Sequence, residues 1–175
     1  METNKASVKK IALNYGLYMA LGTIALSVIV DVMGMTYEQP WWQSVGNFVI
    51  MTLAIVYGLK AFKSTGDGFL SLGDALKTGL AISVVAGIIG ILFNYIFINF
   101  IEPDFVVNML ERTRENMLEQ NPEMTSDEVE TAMSITEKMM SPAIMAAFGI
   151  VASLFFGFII SLIAGLIMKQ NRPEN

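Results

Sequence analysis

The chain has 175 residues, 54% of them hydrophobic and 15% charged, with a net charge of −5 and a pI near 4.7. Soluble domains carry about 25% charged residues, so this balance points to a membrane protein and away from a nucleic-acid binder. Cys and His are both absent, which excludes disulfides, thiol nucleophiles, zinc sites built on those residues and histidine acid–base chemistry.

Four uncharged apolar runs occupy residues 11–30, 41–59, 78–101 and 142–168. About 20 apolar residues are needed to cross the hydrocarbon core as a helix, so each run reads as a span. The first follows Lys5, Lys9 and Lys10 and so begins like a signal peptide. Its apolar stretch exceeds the usual ~7–15 residues and no small-residue cleavage site follows, so a retained helix is expected. Residues 34–40 form a short turn. Trp41 and Trp42 then suit the membrane–water interface, where an amphipathic ring is half wet.

Residues 64–68 (STGDG) read as a flexible loop. Ser71 with Asp74 resembles a capping box at the start of the third span. Ser141-Pro142 opens the fourth, with Ser as N-cap and Pro in the first turn, where no N–H is needed.

The intervening segment, residues 102–141, holds ten Asp or Glu and three Lys or Arg. Val106, Met109, Leu110, Thr113 and Met117 recur at helical spacing. Asn121-Pro122 breaks that pattern. Thr125 and Glu128 form a second capping-box pattern, followed by a second amphipathic face of Val129, Ala132, Met133, Thr136 and Met140. Two helices in a hairpin are expected, either as a solvated connector or as a partner-binding groove. The groove would use Met109, Met117, Met133 and Met140, since methionine suits adaptable surfaces. No EF-hand loop is present, which leaves only weak cation binding by the carboxylates.

Lys and Arg are distributed unevenly. With both termini in the cytoplasm, eight lie inside and three outside, so the positive-inside rule favours that orientation. It puts residues 102–141 outside the inner membrane.

The fourth span carries Gly149, Ser153, Gly157, Ser161 and Gly165, a small residue at every fourth position. The third carries Ala75, Gly79, Ser83 and Gly87. Small residues let backbones approach closely where lipid supplies no hydrophobic drive, so these two spans are expected to pack together. A four-residue repeat drifts by about 40° per step on a helix of 3.6 residues per turn. One straight neighbour therefore cannot cover the whole stripe, and self-association along it is the alternative to packing within one chain.

No ionisable residue falls at mid-membrane. Asp31, Lys60, Asp74 and Lys77 all sit near span ends, where they read as interfacial. Asn47 and Asn94 are expected to hydrogen-bond across helices and fix register. No Walker loop, GxSxG or HExxH is present. Nothing implies an enzyme, a cofactor or a metal.

Several segments resemble a bacterial membrane-protein family, domain of unknown function family 4199. They are residues 57–63 (YGLKAFK), 69–79 (FLSLGDALKTG), 94–111 (NYIFINFIEPDFVVNMLE) and 137–142 (EKMMSP). The resemblance runs from about the second span to the end of the chain. It implies a four-span helical membrane protein and supplies no activity or substrate.

The expected protein is an all-α integral membrane domain over residues 1–175, with four transmembrane helices and an inserted extracytoplasmic helical hairpin over 102–141. It would lie in the bacterial cytoplasmic membrane, in contact with the lipid bilayer. Its expected role is structural or adaptor-like, binding an envelope protein through the hairpin. The alternative is a transporter or channel subunit that forms a pathway only on self-association, since four short spans enclose little polar volume.

Overall fold

The computed structural model describes residues 7–170. Lys5 and Arg172, both used in the orientation count, lie outside the described residues. The helices are α1 (Val8–Val32), α2 (Trp41–Thr65), α3 (Leu72–Ile96), α4 (Phe105–Gln120), α5 (Ser126–Met139) and α6 (Pro142–Met168). A π-helical turn, Phe97–Ile101, extends α3. Four helices are long and apolar enough to cross a membrane: α1, α2, α3 with its π turn, and α6.

Most spans exceed the uncharged runs, because their ends carry charge that the runs leave out. α2 continues through Lys60 and Lys63 to Thr65, so Ser64 and Thr65 are helical rather than loop. Both hydroxyls bond back to the Ala61 carbonyl. α3 begins at Leu72, before Asp74 and Lys77. Ser71 Oγ accepts from Asp74 N at 3.1 Å. The expected box is incomplete, because the Asp74 carboxylate takes the Ser71 hydroxyl instead of its N–H. At Thr125 and Glu128 the box is complete in both directions.

Both described chain ends lie at one end of the bundle. There Leu70 and Gln170 exchange backbone hydrogen bonds of 3.0 and 3.1 Å. Lys63 Nζ donates to the Met168 carbonyl, one of the orphan acceptors at the end of α6. The dry core fills this half. Ile55, Leu59, Leu70 and Ile82 have no exposed surface, and Ile11, Ala75, Ile160 and Ala164 surround them. Leu13, Val28, Leu53, Leu92, Val151 and Ile167 face outward and remain exposed, a surface compatible with contact to a lipid bilayer.

α3 and α6 make the most extensive contact, followed by α1 with α3. α4 and α5 touch each other beyond the far end of the spans. Their sheltered sides carry Met109, which is buried, and Val129, which is 3% exposed.

Candidate functional site

The α3–α6 seam is tight near the termini and opens toward the far end. A Cβ on Gly165 would press on Ala75, one on Gly79 would overlap Ser161, and one on Gly157 would overlap Ser83. Ser83 and Ser161 turn their hydroxyls back to the carbonyls of Gly79 and Gly157, so polar groups are satisfied inside the seam. Ser153 Oγ then crosses to the Ser83 carbonyl at 3.1 Å. A Cβ on Gly87 would lie 3.8 Å from Ser153, and one on Gly149 or Gly90 would meet nothing within 4 Å. At Gly149 the two helices have parted.

Where the seam opens, a cleft of about 910 Å³ lies among all four spans. Binding sites for small ligands are typically ~300–1,000 Å³. α1 contributes Thr23, Ser27 and Asp31, α2 contributes Gln43, Ser44 and Asn47, α3 contributes Asn94, and α6 contributes Ser153. Apolar walls come from Met19, Phe48, Met51, Phe93 and Phe156. Polar groups from all four spans thus line one open, largely apolar cleft. Asn47 and Asn94 share no hydrogen bond; both line this cleft instead. The Asn47 Oδ1 atom is buried with no partner, an arrangement that costs about 1–3 kcal/mol if nothing fills it. Asn47 and Asn94 were legible as polar residues in spans, but their convergence depends on the splay of α3 from α6, which no local pattern encodes.

The far end of the cleft is roofed by the α1–α2 turn and the start of α4. Asp31 accepts from the Thr36 hydroxyl at 2.7 Å. Gln39 closes the turn with a φ of 45°, uncommon for a residue with a side chain, and it lines the cleft. Tyr37 donates its hydroxyl to Glu102 at 2.7 Å and accepts from Asn108 at 2.9 Å. Its ring stacks on Phe105, with centroids 5.9 Å apart. Burial raises the Tyr37 hydroxyl above its ordinary value; Asn108 lowers it, and Glu102 raises it again. The π turn puts Glu102 within reach of Tyr37, its N–H bonding five residues back to Phe97 at 2.8 Å. Phe105 and Met109 complete the roof.

The candidate methionines sit on the sheltered side of this region. Met109 is buried, and Met117, Met133 and Met140 are half-buried. The exposed apolar side chains here are Val107, Leu118, Ile135 and Met139.

The family model described as protein of unknown function DUF4199 matches residues 14–170. The chain belongs to that family. No curated protein and no solved structure matches it. The matched region of this DUF4199 chain takes in the whole cleft and its roof.

Proposed function

We propose that this protein is a non-catalytic membrane protein that holds an amphipathic ligand in the far-end cleft. The observation that carries the reading is a cleft of about 910 Å³ among the four spans, in which Asn47, Asn94, Ser27 and Asp31 lie beside Met19, Phe93 and Phe156; the Asn47 Oδ1 atom is buried and unpartnered. The apolar walls would hold the ligand's body and the hydroxyl and amide groups its polar end. The uneven distribution of Lys and Arg supports both termini in the cytoplasm of a bacterial inner membrane, with α4 and α5 as an extracytoplasmic hairpin.

The test is a fluorescence titration of the detergent-purified chain with a dansyl-labelled alkylamine. Saturation at one probe per chain is expected. Asn47→Leu should weaken binding about tenfold, the loss of roughly one hydrogen bond to a charged donor. Ser27→Phe should block the cleft. Equal binding to all three proteins would overturn the reading.

A second reading is docking of an envelope protein on residues 102–141. The exposed Val107, Leu118, Ile135 and Met139 on an acidic segment favour it. That partner would carry a basic surface with apolar contacts. Val107→Glu with Ile135→Glu should abolish its crosslink and leave the dansyl titration unchanged.

A further inference from the structure

A second cavity, of about 440 Å³, lies against the outside of the α3–α6 seam. Gly87, Gly90, Ile91 and Asn94 of α3 face Pro142, Met145 and Gly149 of α6 across it. Gly90, Asn94 and Gly149 line both this cavity and the large cleft. The two spaces therefore adjoin where α3 and α6 part. An added Cβ at position 90 or 149 would meet nothing within 4 Å. The lining of the smaller cavity includes Tyr95, whose side chain is exposed. At the far end the Thr36–Asp31 bond ties the α1–α2 turn to α1, and the Tyr37–Glu102–Asn108 bonds tie it to the end of the π turn and to α4.

The walls also select a headgroup. Among the described residues, the cleft lining contains no Lys or Arg, and its one ionisable side chain is Asp31. Asn47 offers an acceptor without a donor. A headgroup of net negative charge would find no Lys or Arg to offset it and would share the cleft with a carboxylate, in a medium where charge is costly. A primary ammonium supplies three donors and a positive charge, meeting both Asn47 and Asp31.

We propose that the occupant is a membrane lipid with a primary-amine headgroup, admitted sideways from the bilayer through the gap between Gly90 and Gly149. This rests on the reading of the cleft as a ligand site and assigns its ligand and its route. The chain acts on nothing covalently; it takes one lipid out of the bilayer plane and holds it between its spans.

The test is native mass spectrometry of the full chain released from vesicles. These contain equal parts of ethanolamine, choline and glycerol phospholipids with identical acyl chains. The wild type should retain one ethanolamine lipid per chain, at least fivefold over either competitor. Gly149→Phe and Gly90→Phe should each lose it. Both positions have open space for the new side chain, and an unchanged Tm confirms the fold of each. Retention of a lipid without headgroup preference, or of the anionic lipid, would overturn the assignment while leaving the cleft as a site. Undiminished ethanolamine lipid in both Phe variants would overturn the sideways route. Equal lipid on the wild type and Asn47→Leu, or none on the wild type, would overturn the cleft reading itself.

Discussion

Ser153 on α6 donates its hydroxyl to the main-chain carbonyl of Ser83 on α3, at 3.1 Å. Below this bond, toward the termini, serine or alanine side chains of each helix lie against glycines of the other. Above it they part. One inter-helix bond thus marks the border between a dry, closed half and a polar, open half of the same bundle.

The closed half should be intolerant of added volume. A Cβ at Gly157 would overlap Ser83, and one at Gly79 would overlap Ser161. Gly157→Ala is expected to cost about 1–3 kcal/mol, the usual range for overpacking a filled interior. Gly149→Ala, in open space, should be neutral or stabilising by up to ~1 kcal/mol through better helix propensity. Thermal unfolding of both variants in detergent checks this. Equal Tm values would break the link between seam geometry and stability.

Thr78 is fully buried and its Oγ1 has no hydrogen-bond partner. A buried hydroxyl left unsatisfied costs about 1–3 kcal/mol. Thr78→Val removes that hydroxyl with little change of shape and should raise Tm. A fall in Tm would mean that the hydroxyl is paired in the membrane.

The roof depends on Tyr37. Tyr37→Phe leaves Glu102 without its donor and Asn108 without its acceptor, at a cost of ~1 kcal/mol per bond. Amide hydrogen exchange over residues 102–109 should quicken while the exchange of α2 and α3 stays the same. The hydroxyl is raised above its ordinary value, mainly by burial, so the folded state binds the proton more tightly than the unfolded one. The stabilisation is fully present below about pH 10 and lost as pH rises through the folded value. Tyr37→Phe should abolish that alkaline loosening, and a pH profile identical to wild type would contradict the latch.

At the start of α5 the sign is opposite. The Thr125 N–H and hydroxyl donate to Glu128 and lower its carboxyl. The cap is therefore fully effective above the ordinary pH range of a carboxylate, near 4.3, and is lost as pH falls through the lowered value. Glu128→Ala should fray the first turn of α5 at neutral pH, read as faster exchange at Val129. Wild-type protection at Val129 in that variant would remove the reciprocal cap from the account.

Much of the fold was legible because membranes impose a simple arithmetic of length and charge. The start of α6 at Pro142 could be read from Ser141-Pro142, and the start of α5 from Thr125 and Glu128. The sheltered faces through Met109 and Val129 follow from helical periodicity. The span ends at Thr65 and Leu72 were not legible, because Lys60, Lys63, Asp74 and Lys77 end the uncharged runs without ending the helices. The π turn at Phe97–Ile101 has no sequence signature. Close approaches outside the α3–α6 stripe were also missed. Gly16 against Val85 and Gly58 against Ile82 are single glycines without a repeat to announce them. The cleft is a property of the splay between two helices, so Asn47 and Asn94 read as inter-helix hydrogen-bonding residues rather than as the lining of an open space.

Orientation can be read with cysteine, since the chain has none of its own. In intact cells Asn121→Cys should react with an impermeant maleimide and Ser64→Cys should not. The reverse pattern would turn the protein over and put the cleft's roof in the cytoplasm.

The central claim is that the open half of the bundle holds a lipid. The most direct measurement is photocrosslinking in native membranes, with p-benzoylphenylalanine placed at Phe93 inside the cleft or at exposed Phe148 on the outer face of α6. At position 148 the adducts should mirror the bulk lipid composition. At position 93 a single amine-headgroup lipid should dominate. The same mixture at both positions, or no lipid adduct at 93, would contradict the account.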